Sequence, residues 1–187
     1  MLSCFYAFLY VALSSGIYPV GFLNIRKLLS IMVPEDYSNP DPIAEIKVHK
    51  ALDVSTLVFI TAARNYEFFE FNGIKYFVSL RINGTGKHAG RTINTAVFIN
   101  EPLSINDLVE IVKVITEAKC GALMDYGLRI TGTVTDAVAA GTSHLSEKVR
   151  FAGTATPLGS EVGREVYISV MRVLEKDLKH FLDFQEL

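Results

Sequence analysis

The sequence predicts an α+β fold, a mostly antiparallel or mixed sheet with two long helices and one short helix packed on it. Three observations carry this reading. Apolar runs rich in β-branched and aromatic residues, each of strand length, crowd the early part of the chain. Asn72-Gly73 separates two further runs, and that dipeptide favours the type I′ turn of a tight hairpin. Two later segments repeat apolar residues at helical spacing. Strands, a short helix, hairpin strands, a helix, a strand and a final helix, in that order, describe helices laid on a mixed sheet. No internal repeat, linker or low-complexity stretch divides the 187 residues, so residues 1–187 are expected to form one domain.

Phe5–Leu13 and Phe22–Met32 read as the first two strands, separated by a Ser-Ser-Gly turn and Pro19. The turn formers from Pro34 to Pro42 follow, and Asp41 before Pro42 matches an N-cap with proline at the first helical position. The short helix it starts runs to about Leu52. Ser55–Ala62 is a buried strand, and Tyr66–Phe71 with Ile74–Ile82 makes the hairpin. Asn83–Gly90 is a glycine-rich loop, and Thr92–Ile99 is the next strand. Ser104, with Asp107 three residues on, is a near capping box for a helix that Gly127 ends. A further strand lies within Ile130–Ala140. Thr156-Pro157 starts the last helix, whose stripe of Leu158, Val162, Val166, Val170, Val173 and Leu174 continues to near Phe181.

Composition narrows the function. Half the residues are hydrophobic and 20% are charged, which is globular and not disordered. The net charge is −2 and the basic residues are dispersed, so no surface for nucleic acid is expected. Cys4 and Cys120 lack the spacing of a zinc site or a disulfide framework, and both are read as reduced thiols of a cytoplasmic protein. The four histidines show no metal-ligand spacing, so no metal is expected. Residues 1–23 are apolar but carry no basic residue, unlike a signal peptide. Ser14, Ser15, Gly16 and Pro19 interrupt them too early for a membrane helix, so they are read as a buried strand and no membrane is expected.

Gly84 to Gly90 lacks both GxGxxG spacing and the GKS or GKT ending of a phosphate loop, and Gly153–Gly163 is read as a plain helix start. There is no GxSxG elbow. These absences argue against a kinase, a dehydrogenase or a zinc hydrolase. A soluble enzyme acting on a small molecule remains, with its polar site between Thr92 and Asp136.

On the helix from Ser104 to Tyr126, Lys119 falls within the apolar face, where it either snorkels to the rim or is held by a carboxylate. Glu117 lies about 200° round from it. Thr131-Gly132-Thr133-Val134-Thr135-Asp136 places three alternating threonines on an expected strand, ending in a carboxylate able to act as base for a hydroxyl or a water. Such threonines equally suit a wet face of a sheet. Thr92-Ile93-Asn94 offers Asn94 as a donor to an amide carbonyl or an oxyanion.

Gly90-Arg91-Thr92-Ile93-Asn94, Pro102-Leu103, Thr116-Glu117-Ala118-Lys119 and Thr131 to Asp136 resemble, in this order and at similar spacing, the adenosylcobinamide amidohydrolases of cobamide salvage. Leu13-Ser14-Ser15, Val33-Pro34 with Tyr37 and Asp41-Pro42, Thr61-Ala62-Ala63, and Gly153 to Gly159 extend the resemblance over nearly the whole chain. It implies hydrolysis of the amide between the corrinoid ring and its aminopropanol arm, giving adenosylcobyric acid, with the corrinoid as substrate and no cofactor. Carried over by position, it implies Asp136, Glu117, Asn94, Lys119 and Thr133 as catalytic residues. Thr92, Thr135, Thr61, Ser15 and Arg91 are then substrate-binding. Arg91 stands where the family has a glycine, and the paired glycines expected after the early serines are missing from Gly16–Gly21. Asp136 or Glu117 would act as general base on water or on a threonine, with Asn94 and Lys119 steadying the oxyanion. A corrinoid-binding protein without hydrolysis, or an amidohydrolase for another amide, are the alternatives. Assembly as a homo-oligomer is compatible with the sequence.

Overall fold

The computed structural model describes residues 2–19, 21–48, 53–82 and 91–183. Its elements are β1 (Leu2–Ser14), β2 (Gly21–Met32), α1 (Pro42–Val48), β3 (Thr56–Thr61), β4 (Asn65–Phe71), β5 (Ile74–Arg81), β6 (Thr92–Ile99), α2 (Ile105–Asp125), β7 (Ala137–Thr142) and α3 (Pro157–Asp183). The predicted α+β architecture stands: one seven-stranded sheet in the order β3-β2-β1-β7-β6-β5-β4, with two long helices and one short one. The β2–β3 and β6–β7 pairs are parallel and the other four antiparallel, so the sheet is mixed. The predicted glycine-rich loop at 83–90 and the far end of the predicted first helix lie outside the described residues.

Local chemistry sets the element ends. Asn72 and Gly73 both take positive φ, 50° and 77°, as the type I′ turn between β4 and β5 requires. Asp41 caps α1 by accepting from the Ala44 N–H at 3.0 Å. At α2 the capping box is complete: Asp107 N–H donates to Ser104 Oγ at 3.2 Å and Ser104 N–H to Asp107 Oδ2 at 2.9 Å. Its other end closes on Gly127 at φ +90°, where the Leu128 N–H reaches the Leu123 carbonyl and the Gly127 N–H reaches that of Met124. That pair of bonds is a Schellman motif.

The two faces of the sheet have separate cores. On one face α2 and α3 pack over Ile74, Tyr76, Val78 and Leu80 of β5 and Ile93, Val97 and Ile99 of β6, with Val162, Val166, Val170, Val173 and Leu174 of α3 fully buried. Each such side chain removed from water contributes roughly 1.5–3 kcal/mol before ordering costs are counted. α1 joins through Ile46, against Leu29 and Val58. The opposite face folds onto itself. Phe59 of β3 stacks on Phe77 of β5 with ring centroids 6.1 Å apart, although four strands separate β3 from β5 in the sheet. In a flat sheet those two strands would lie about 24 Å apart. The sheet is therefore curled, and Tyr10, Ile25, Leu57, Phe77 and Phe98 fill its inside. β6, buried at every position, is the wall between the two cores. No helix among the described residues is long and apolar enough to cross a membrane.

Candidate active site

Asp136 is the last residue before β7, and β7 runs parallel to β6 with Ala137 opposite Asn94. This places the Asp136 carboxylate at the start of β6, under α2. Oδ1 accepts from Thr133 Oγ1 at 2.6 Å and from the Ile93 N–H at 2.9 Å. Oδ2 accepts from Lys119 Nζ at 2.5 Å and from the Thr133 N–H at 3.1 Å. A carboxylate offers about four lone-pair sites, so this one is saturated. The Lys119 and Asp136 side chains are only 12% and 16% exposed. Of the two readings for a lysine on the apolar face of α2, the one that holds is pairing with a carboxylate. The two residues, about 200° apart on the helix, separate accordingly: Lys119 turns inward, while Glu117 is exposed and has no hydrogen bond or ion pair among the described residues.

The segment Thr131–Asp136 is not the expected strand. It forms a turn, and the strand starts only at Ala137. The reason is the carboxylate. Asp136 folds back to take both the N–H and the hydroxyl of Thr133, a local bond that competes with the extended ladder. The three threonines therefore do not share a face. Thr133 serves Asp136, Thr135 Oγ1 donates to the Arg91 carbonyl at 2.9 Å, and Thr131 accepts from Cys120 through its carbonyl. Gly132 has its own use in this turn. A Cβ there would stand 2.5 Å from Asp136 Oδ2 and 3.0 Å from Lys119 Nζ, so the glycine makes room for the ion pair itself.

Thr92, Asn94, Thr61 and Ser15 form a second group. Along β6, Ile93 faces the helices, whereas Asn94 shares its face with Ala96 and Phe98 of the inner core. Thr92 Oγ1 bonds the Thr135 carbonyl at 2.9 Å and Asn94 Oδ1 at 3.2 Å. Asn94 Nδ2 donates at 3.3 Å to the Ile60 carbonyl, clasping β6 to β3 across the curl. Thr61 Oγ1 accepts from the Ala63 N–H, and Ser15 Oγ from the Val138 N–H. Arg91 is exposed at the edge of the described residues. The structure thus brings Lys119, Thr133 and Asp136 together and links Thr92 and Thr135 to them through backbone. Asn94 and Thr61 lie on the other face of the sheet.

A groove of about 860 Å³ adjoins the ion pair, lined by Met124, Gly127, Leu128, Arg129, Ile130, Thr131 and Gly132. Gly132, in its lining, is the residue whose added Cβ would meet Asp136 and Lys119. Two residues of this region left little trace in the sequence. Ser79 and Thr95 are buried hydroxyls without a partner among the described residues, Ser79 opposite Asn94 and Thr95 one step beyond it. Their only signal is a hydroxyl inside an apolar strand. The N–H groups of Ile93 and Thr133 left none, because every residue type but proline carries one.

A family model described as adenosylcobinamide amidohydrolase matches residues 60–180. No curated protein matches the chain. Among solved structures, the PH0078 protein from Pyrococcus horikoshii OT3 is similar in part, at 9% identity and a TM-score of 0.46, over 91% of this chain and 72% of that one. The family match spans well over half of the 187 residues and takes in every site residue named above except Ser15. With the ordered motifs and the Lys119–Asp136–Thr133 cluster inside the matched region, the chain belongs to the adenosylcobinamide amidohydrolase family.

Proposed function

We propose that this chain hydrolyses the amide joining the corrinoid ring of adenosylcobinamide to its aminopropanol arm, releasing adenosylcobyric acid and aminopropanol. The observation that carries the reading is the Thr133 hydroxyl, which donates at 2.6 Å to a carboxylate fixed by Lys119 at 2.5 Å, beside a groove of about 860 Å³. A nucleophile hydrogen-bonded to its base, with the base oriented by a third group, is the arrangement that activates a hydroxyl. The size and mixed lining of the groove suit a bulky, amide-rich ligand.

All four acceptor sites of Asp136 are occupied, so activating a free water would require it to give up a donor. The Thr133 proton already points at the carboxylate. The reading therefore takes Thr133 Oγ1 as the nucleophile. It attacks the amide carbon, its proton passes to Asp136, and the C–N bond breaks as Asp136 returns the proton to the leaving amine. Water then cleaves the threonyl ester, adding its hydroxyl to the acyl carbon and its proton to Thr133 Oγ1. Lys119 holds Asp136 in place, and Asn94 supports the site from the far face by keeping β6 and β3 together. Glu117 has no part in these steps.

The test is incubation of the purified chain with adenosylcobinamide, followed by chromatography and mass analysis. Adenosylcobyric acid and aminopropanol are the expected products. A tight corrinoid complex without products would make the chain a binding protein instead, and the absence of both binding and turnover would overturn the reading. Acid quenching should trap the corrinoid acyl group on Thr133, with Thr133→Ala inactive and Thr133→Ser partly active. Full activity in Thr133→Ala would return the attack to water.

A further inference from the structure

A second, smaller cavity of about 50 Å³ lies between α2 and the sheet, against the same ion pair. Lys119, Asp136, Thr95, Ile115 and Val138 are among its walls, and it shares no residue with the lining of the groove. A water needs about 10–15 Å³ of such space, so a cavity of this size has room for one. Size alone is not sufficient, since an apolar cavity of these dimensions stays dry. Polarity decides, and two groups supply it. Thr95 Oγ1 is buried without a hydrogen-bond partner among the described residues, in a row of β6 whose other helix-facing residues, Ile93, Val97 and Ile99, are all apolar. Lys119 Nζ carries three donors and spends one on Asp136. Thr116, on the same wall, is already committed to the Val112 carbonyl at 2.8 Å.

A buried hydroxyl left unpaired is costly, and valine would fill the space of Thr95 with no such cost. We propose that this cavity is a water site, in which one molecule accepts from Lys119 Nζ and exchanges a hydrogen bond with Thr95 Oγ1. Thr95 is thereby a positioning residue for the ion pair. A lysine ammonium rides on a flexible four-carbon stem, and a single carboxylate leaves it free to swing. The water anchors it from a second direction, so Nζ stays against Asp136 Oδ2 while a ligand occupies the groove. The effect on turnover rests on the function proposed above, whereas the water site rests on the cavity alone.

The experiment pairs crystallography with kinetics on the intact chain, comparing wild type, Thr95→Val and Thr95→Ser. Electron density for a water within hydrogen-bond distance of Thr95 Oγ1 and Lys119 Nζ is expected in wild type and in Thr95→Ser, and its loss in Thr95→Val. With adenosylcobinamide as substrate, Thr95→Val should lower kcat by about tenfold at unchanged KM, the size expected from a small misplacement of a catalytic group. Thr95→Ser should recover most of it. Absence of the water from wild type, or its persistence in Thr95→Val, overturns the site. Loss of the water with kcat unchanged overturns the positioning role. If wild type does not turn over adenosylcobinamide, the proposed function fails, and the crystallographic comparison still decides the water site.

Discussion

Lys119 Nζ and Asp136 Oδ2 stand 2.5 Å apart, and the backbone of Gly132 lies so close to both that no side chain fits between. Three segments meet there: the last turns of α2, the turn before β7, and the start of β6 through the Ile93 N–H. The pair is thus a structural junction as well as the proposed chemical centre, and substitutions must be chosen to separate these two roles.

Asp136→Ala removes the acceptor from two backbone N–H groups and leaves Lys119 unpaired in a nearly buried position. Breaking one side of such a pair costs about 3–5 kcal/mol, so this variant should be destabilised as well as inactive. Asp136→Asn keeps the shape and one acceptor oxygen. It should stay folded in urea titration while kcat falls by about 10²–10⁴, the contribution of a positioned base.

Gly132→Ala should part Asp136 from Lys119, because the new Cβ would sit 2.5 Å from the carboxylate oxygen. Overpacking of this kind costs about 1–3 kcal/mol. Thermal unfolding should show the lowered stability, and kcat/KM should fall in parallel. An unchanged kcat/KM would mean that the pair is not part of the chemistry.

Glu117→Gln should leave turnover close to that of the parent chain. The side chain is exposed and has no partner among the described residues, whereas Asp136, the other carboxylate of the motif set, is held by four donors. A collapse of kcat in this variant would transfer the role of base to Glu117.

Asn94→Ala should act on stability. It opens the clasp from Asn94 Nδ2 to the Ile60 carbonyl and strips an acceptor from Thr92. Thr92 keeps its bond to the Thr135 carbonyl, so the cost is mainly that of the lost clasp, about 0.5–1.5 kcal/mol, readable as a lower urea midpoint. An oxyanion donor would show the reverse pattern, lost kcat with the midpoint unmoved.

Asp107 should make the α2 cap sensitive to acid. Burial pushes its carboxyl up, but hydrogen bonds from Ser104 and from the Arg150 N–H outweigh that and hold it below the usual carboxylate range. A depressed carboxylate contributes stability that is present above its unfolded pKa and lost as pH falls through the folded one. Asp177 works in the opposite sense, since burial raises its carboxyl against the pull of the Ile82 N–H and Arg81. Comparing Asp107→Asn with the parent isolates the first effect. The variant should be about 1–2 kcal/mol less stable at neutral pH, with the gap narrowing as the parent's Asp107 is protonated.

Element identity was legible in the chain because each signal is local. Asn72-Gly73, the Ser104 and Asp107 cap, Gly127 and the valine stripe of α3 act on neighbours a few residues away, and each did in the structure what its chemistry implied. The membership of the site was half legible. Ordered motifs pointed to Lys119, Thr133 and Asp136, yet nothing in a linear reading said that Asp136 would fold back onto Thr133 and end the strand before it began.

What tertiary structure decided was which side of β6 each polar residue would occupy. A strand turns alternate side chains to opposite faces, so Ile93 and Asn94, adjacent in sequence, belong to different cores. The curl that brings Phe59 to Phe77, and Ile60 to Asn94, depends on strands that are not neighbours in the sheet and, for Ile60 and Asn94, lie 34 residues apart in the chain. Residue type and spacing settle what a segment can form; which partners it then meets depends on burial and backbone hydrogen bonding summed over the whole sheet.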